Sequence, residues 1–264
     1  MSRPTSEDIP VPMFLSDGVE IAYIVEEPAV ASTEPPVLLI HGFASNLATN
    51  WVSTGWVKDL TAAGYRVIAF DNRGHGQSQK LYGLDDYGAP LMAEDARRLL
   101  DHLGVVRAHV MGYSMGARIA AFLAVNHPER VASLVFGGMG LSMVRGMAGT
   151  GPVAHALEAA HIDDVKNPTA RTFRAFAEQT RSDLKALAAC IRSGRAPVTT
   201  EALGQITCPV LVAVGSEDVI GGSAQGLADL IPGAKAFEIP GREHMKAVGD
   251  RAFKVEVLQF FAGV

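Results

Sequence analysis

The sequence predicts an α/β domain: a mostly parallel, doubly wound sheet flanked by helices, with a helical insertion. Three observations carry this. Short β-rich runs alternate with helical patterns through most of the 264 residues. Those runs are continuously apolar, as strands covered on both faces are. Between residues 140 and 197 the alternation stops, and only helical patterns occur.

Taken in order, residues 13–15 and 19–25 flank Asp17-Gly18, a pair that closes β-hairpins. Strands are expected at 37–40, 66–70, 108–111, 133–136, 210–214 and 236–239. The strand at 37–40 ends at His41-Gly42, that at 133–136 at Gly137-Gly138, and the last two at Gly215 and Pro240-Gly241. Helical spacing predicts a helix over 56–63, closed by Gly64, and another over 91–103, closed by Gly104. In the second, Ala96, Leu99, Leu100 and Leu103 share a face. An Ala-rich helix over 117–125 and helices over 223–230 and 253–261 complete the alternation.

Within the break, 144–160 reads as a short irregular helical stretch. Residues 171–192 read as one helix carrying Phe173, Phe176, Leu184, Leu187 and Ile191. Roughly sixty residues without a strand exceed an ordinary crossover. The expectation is a helical cap over 140–197, set into a core of 1–139 and 198–264, with 1–12 a loose tail. No internal repeat is visible.

Composition excludes several function classes. The chain is 48% hydrophobic and 19% charged, with net charge −5 and no Lys/Arg-rich run. A nucleic-acid or anionic-membrane partner is not expected. Cys190 and Cys208 fit no zinc or redox spacing and read as small buried thiols in a reducing compartment. The polar N-terminus, with Pro4, Pro10 and Pro12, lacks the charged and apolar regions of a signal peptide. No apolar run reaches the ~18–20 residues that span a bilayer. A cytoplasmic monomer or weak homodimer is expected.

The chemistry centres on Gly112-Tyr113-Ser114-Met115-Gly116, between a strand and a helix. A serine on so tight a turn needs small residues two before and two after it. The turn lifts its Oγ above the sheet, and the Met115 N–H at the helix start favours developing negative charge. Serine needs a base to take its proton and an acid to orient that base. In such a sheet these follow in the order serine, acid, histidine, on loops after strands. The run at 210–214 is followed by Gly215-Ser216-Glu217-Asp218, and that at 236–239 by Pro240-Gly241-Arg242-Glu243-His244. His244 is the expected base and Asp218 the orienting acid, with Glu217 its main rival. Asp71, which precedes the serine, reads as a structural loop carboxylate. Backbone N–H groups of Met115 and Phe43, in the His41-Gly42-Phe43 turn, are the expected oxyanion donors. Phe43, Met139, Leu141 and Met143, with Val144 and Met147 nearby, are expected to line an apolar substrate pocket. Arg145, Arg171 and Arg174 read as a solvated helix face. One of them facing the cavity would point to a carboxylate substrate.

Together these residues, with Asp71-Asn72-Arg73-Gly74-His75-Gly76-Gln77-Ser78, resemble the α/β-hydrolase superfamily over nearly the whole chain. The resemblance implies an eight-stranded sheet with its second strand antiparallel and a lid over the serine. It also implies hydrolysis without a metal or organic cofactor. Epoxide hydrolases and haloalkane dehalogenases of this frame use aspartate, and dienelactone-type enzymes cysteine, where Ser114 stands, so those chemistries are disfavoured. Ala117-Arg118 departs from close relatives, which often place another glycine there. The expected activity is that of a carboxylesterase on small to medium acyl esters, through an acyl-enzyme. Lactone or carbon–carbon cleavage by the same residues, and ligand binding without turnover, are the alternatives.

Overall fold

The computed structural model describes residues 11–145, 150–193 and 197–264. Residues 1–10 of the expected tail and Met147 lie outside them. The hairpin about Asp17-Gly18 is β1 (Met13–Ser16) and β2 (Val19–Glu26). Then follow β3 (Val37–Ile40), β4 (Val67–Phe70), β5 (Ala108–Tyr113), β6 (Val131–Gly137), β7 (Val210–Gly215) and β8 (Lys235–Ile239). The eight strands form one sheet in the order β1-β2-β4-β3-β5-β6-β7-β8. β2 runs antiparallel to both β1 and β4, and the other pairs are parallel.

Alternation along each strand divides the core into two layers. In β3, Leu38 and Ile40 face one side, and Val37 and Leu39 the other. The helices are α1 (Trp56–Ala62), α2 (Ala89–His102) and α3 (Met115–Asn126); α4 (Ser142–Arg145), α5 (Thr150–Glu158), α6 (Pro168–Gln179) and α7 (Leu184–Arg192), all between β6 and β7; and α8 (Thr200–Leu203), α9 (Ala224–Ala228), α10 (His244–Ala247) and α11 (Arg251–Ala262). α2, α3 and α9 cover the Leu38 face. α1 and α11 cover the opposite face, where Trp56 stacks edge-on against Phe253. Burial on both faces is why the central strands β3, β4 and β7 carry no polar alternation.

The helices between β6 and β7 are tied to the loop after β3 and to α3. Thr180 Oγ1 donates to the Ala44 carbonyl at 2.9 Å. The Phe173 and Phe43 rings meet at 6.0 Å. Arg118, buried on α3, donates to the Ser142 and Met143 carbonyls at 3.0 and 2.8 Å.

Two expectations are corrected here. The single helix over 171–192 is two, α6 and α7. Arg181 between them takes a left-handed conformation, φ 52°. Asp183 caps α7 by accepting from the Lys185 and Ala186 N–H groups at 2.9 Å. Apolar spacing runs across the break in register, so periodicity alone hides it. The polar run Thr180–Asp183 competes for backbone groups and ends α6. Of the three arginines read as a solvated face, Arg174 is buried. It donates to the Ala156, Leu157 and Ala159 carbonyls, closing the C-terminal end of α5, and pairs with Glu178.

Replacing Asp183 with alanine removes the α7 cap and the partner of the Tyr82 hydroxyl. Asp183→Ala is expected to cost about 1 kcal/mol in urea unfolding. An unchanged midpoint would mean that the cap does not hold the break.

Candidate active site

β5 runs directly into α3, and Ser114 sits on the turn at φ 54°, ψ −112°. A residue with a Cβ occupies this region only under constraint, at a cost of roughly 1–3 kcal/mol. The flanking glycines permit it. A Cβ on Gly112 would lie 2.2 Å from the Gly116 carbonyl oxygen, and one on Gly116 would lie 1.9 Å from that of Ile40. The turn is held by the Ser114 N–H, which donates to the Gly137 carbonyl at 2.8 Å.

The loops after β7 and β8 are joined where the Glu217 N–H donates to the Arg242 carbonyl at 3.1 Å. They bring Asp218 and His244 to Ser114. Ser114 Oγ donates to His244 Nε2 at 3.0 Å, and His244 Nδ1 donates to Asp218 Oδ2 at 2.7 Å. The other carboxylate oxygen of Asp218 accepts from the Ile220 and Gly221 N–H groups, both at 2.8 Å. Burial pushes the Asp218 carboxyl up. The bond from His244, its charge and the two N–H groups outweigh that and hold the carboxyl below its usual range. Glu217 is exposed and takes no part in this chain of bonds. His244 is itself fixed from behind. It opens α10, its carbonyl accepts from the Tyr113 hydroxyl at 2.5 Å, and Glu243 caps the helix through the Met245 N–H.

The turn after β3 lies against the serine: a Cβ on Gly42 would lie 3.4 Å from that of Ser114. His41 sets its orientation. Its Nδ1 lies 2.7 Å from the Gly42 carbonyl and its Nε2 accepts from the Asn72 N–H at 2.9 Å. A carbonyl accepts and an amide donates, so His41 is the neutral Nδ1–H tautomer. In a trans peptide the N–H points opposite to the carbonyl. Fixing the Gly42 carbonyl therefore fixes the direction of the Phe43 N–H. Met115 is the first residue of α3, where an N–H has no carbonyl within its own helix. Asp71 serves the same loops: its carboxylate accepts from the Leu47 and Gln77 N–H groups, each at 2.7 Å.

A cavity of about 160 Å³ opens beside Ser114 and His244. Phe43, Phe173, Phe176, Met245 and Val248 form its apolar lining, and Ser45, Thr49, Asn50 and Thr54 its polar lining. Of the residues expected to line it, Phe43 does. Met139, Leu141 and Met143 do not, and this corrects the sequence reading. Met139 and Met143 are buried in the core layer beside α3, because Arg118 holds that stretch of chain down by its carbonyls. Leu141 packs toward α9, its N–H bonded to the Ser223 carbonyl. The polar lining was not anticipated. Phe173 and Phe176, one turn apart on α6, were visible only as a helix face. A larger hollow of about 420 Å³, lined in part by Pro152, His155 and Val165, touches none of Ser114, Asp218 and His244. Among the described residues no group of His, Cys, Asp or Glu is placed to hold a metal, and no helix is long and apolar enough to cross a membrane.

Burial pushes His41 down to about 4, against the smaller upward effect of its bond to the Gly42 carbonyl. In the unfolded chain it titrates near 6.5. Between these values the unfolded state binds the extra proton, so stability falls as pH drops from about 6.5 to about 4. The loss is on the order of 3 kcal/mol. Asp71, raised by burial, works in the opposite sense. The measurement is therefore the difference between the wild type and His41→Gln in urea unfolding across this window. Parallel curves would show that His41 is not held neutral.

The chain was compared with known proteins. Residues 35–200, more than half of it, match the alpha/beta hydrolase fold family. A fluoroacetate dehalogenase from a Burkholderia species is 36% identical over 119 residues, 44% of this chain and 38% of that protein. The rhodomycin D methylesterase of Streptomyces peucetius is 39% identical over 102 residues, 38% of this chain and 34% of that protein. The chain thus spans well under half the length of these curated relatives. The solved structure of an N-acyl homoserine lactone degrading enzyme covers 94% of this chain and 99% of its own, with TM-score 0.71 and 26% identity. By its fold, its strand order and the match across residues 35–200, the chain belongs to the alpha/beta hydrolase fold family.

Proposed function

We propose that this protein is a serine hydrolase cleaving carboxylic esters of small to medium acyl chains. The observation that carries the proposal is the unbroken chain of bonds from Ser114 through His244 to Asp218, at 3.0 and 2.7 Å, opening on the cavity. Ser114 Oγ attacks the ester carbonyl as His244 Nε2 takes its proton. The oxyanion is stabilised by the N–H groups of Phe43 and Met115. His244 passes the proton to the departing alcohol, leaving an acyl-enzyme. Water then attacks the acyl carbon, His244 takes its proton, and the acid departs as Ser114 recovers its hydrogen. Asp218 holds the imidazole tautomer and stabilises the imidazolium formed in each half.

The nucleophile separates this reading from dehalogenation and epoxide opening, which in this frame use a carboxylate in the serine's place. Cleavage of a diketo-dienoate is disfavoured by charge, since no Lys or Arg is among the described residues lining the cavity. The second reading is lactone hydrolysis, favoured by the 26% identity over nearly full length to a lactone degrading enzyme. A lactone is a cyclic ester, and the same steps open it. In both readings the helices between β6 and β7 act as a cap, supplying Phe173 and Phe176 above the serine.

Hydrolysis of p-nitrophenyl esters of graded acyl length tests the proposal. Ser114→Ala is expected to lower turnover by roughly six orders of magnitude. Asp218→Asn is expected to lower it by roughly four, because the wrong tautomer then faces the serine. Glu217→Gln should stay near the wild type. Activity surviving in Asp218→Asn and lost in Glu217→Gln would overturn the acid assignment. A folded wild type inert to every ester and lactone would overturn the function.

A further inference from the structure

We infer that Thr180, at the end of α6, is a positioning residue for the oxyanion donor Phe43, so that the cap also sets the alignment of the turn that carries it. This rests on the ester-hydrolase reading above and extends it to a residue that does not line the cavity.

Phe43 is the second residue of a four-residue turn, Gly42–Ser45, closed by the Ser45 N–H donating to the Gly42 carbonyl at 3.3 Å. The third residue, Ala44, is left-handed, φ 59°. Turns of this kind favour glycine there, because a Cβ crowds the following carbonyl. The closing bond lies beyond the usual range of about 2.7–3.2 Å, so it is a weak restraint on a strained residue.

The stronger restraint comes from the cap. Ala44 is wholly buried, and among the described residues the donor that reaches its carbonyl is Thr180 Oγ1, at 2.9 Å. A hydroxyl has one hydrogen to give. The Phe176 and Ala177 carbonyls also lie near it, at 3.0 and 3.1 Å. Both already accept, from the Thr180 and Ser182 N–H groups, each at 2.9 Å. The Ala44 carbonyl has no such second donor among the described residues, and leaving it unpaired is the costly choice. The hydrogen therefore goes to Ala44, and Ser182 Oγ, 2.9 Å from Thr180 Oγ1, donates to it in turn.

The bond reaches Phe43 through two peptide planes. The Ala44 carbonyl and the Ser45 N–H are opposite ends of one plane. The Gly42 carbonyl, which that N–H meets, and the Phe43 N–H are opposite ends of another. Held at Ala44, the first plane keeps its N–H on Gly42, whose carbonyl His41 also holds. Released, Ala44 relaxes toward negative φ and turns that plane away. α6 carries Phe173 and Phe176 as well, so the segment that walls the cavity ends in the bond that aligns the turn.

The test compares Thr180→Val, which keeps the shape and loses the donor, with Thr180→Ser, which keeps the hydroxyl. Both half-reactions pass through the oxyanion, so the loss falls on kcat whichever limits turnover. On p-nitrophenyl butanoate, Thr180→Val is expected to lower kcat roughly tenfold, less than deleting an oxyanion donor, with KM within about twofold. Thr180→Ser should stay near the wild type. Two inhibitors separate alignment from cap packing. 1,1,1-Trifluoro-2-hexanone adds the Ser114 oxygen at its carbonyl carbon, the serine proton passes to His244, and the carbonyl oxygen becomes an oxyanion. 2-Hexanone fills the same space without forming that adduct. Thr180→Val should weaken the trifluoro ketone roughly tenfold and leave 2-hexanone unchanged. Should Thr180→Val not fold, it is made in Ala44→Gly, where the left-handed residue carries no Cβ. The trifluoro ketone should then weaken by roughly threefold, still with 2-hexanone unchanged. A loss confined to KM, equal weakening of both ketones, no effect of Thr180→Val, or failure of Thr180→Ser to retain activity would each overturn the inference and leave the hydrolase standing. Absence of Ser114-dependent turnover in the wild type would remove the hydrolase reading and this inference with it.

Discussion

At φ 54°, Ser114 holds a backbone conformation that costs free energy wherever it occurs outside glycine, and the cleft is built around that constraint. The turn survives because Gly112 and Gly116 let the strand, the helix and the end of β3 approach to distances no side chain allows. The same approach that strains the serine brings α3 against the carbonyl of Ile40 and Gly42 against Ser114. Ser114 and the N–H groups proposed to receive the oxyanion are thus placed by one packing event. The sheet on both sides is buried in apolar layers, which is what resists relaxation of the turn.

Two buried histidines flank that turn, and their different partners give them different chemistry. His41 meets a carbonyl at Nδ1 and an amide N–H at Nε2, so both nitrogens are engaged in the neutral form. Protonating it would set a hydrogen against the Asn72 N–H, and among the described residues no carboxylate is bonded to the ring to balance the charge. It is a fixed strut. His244 meets a carboxylate at Nδ1 and a hydroxyl at Nε2. In the proposed mechanism the hydroxyl surrenders its proton to Nε2, and Asp218 lies on the far side to stabilise the imidazolium. The distinction between strut and proposed base therefore comes from the neighbours and not from the ring.

Much of this was readable before the structure because it is local. The Gly112–Gly116 spacing is a steric requirement written within five residues, and the acid and base loops announce themselves by following apolar strands in chain order. The α6–α7 break was not readable, since Phe173, Phe176, Leu184 and Leu187 keep helical spacing across it. The pocket was misread for a geometric reason. Met139 and Met143 have the composition of a pocket wall, but they lie under the backbone that Arg118 pins, on the core side. Ser45 and Asn50 gave no sequence signal at all. A serine and an asparagine in the connection after a strand are ordinary, and only the fold brings them to the cavity wall.

On the proposed function, catalysis and selectivity sit on different parts of the chain. Ser114, Asp218 and His244 stand at the ends of strands in a sheet whose register is fixed by continuous apolar pairing. The cavity's polar wall belongs to the loop after β3, and much of its aromatic wall to α6, within the stretch between β6 and β7. On the proposed function, residues of α6 change what enters the cavity without disturbing the turn at Ser114, whereas the loop after β3 also carries Gly42, where a Cβ would lie 3.4 Å from that of Ser114. Phe43 and Asn50 join the two: both line the cavity, and the Asn50 oxygen accepts from the Gly42 N–H at 3.2 Å. On the proposed function, a ligand that shifts Asn50 also bears on the Gly42–Phe43 peptide, and so on the alignment of the N–H proposed to stabilise the transition state.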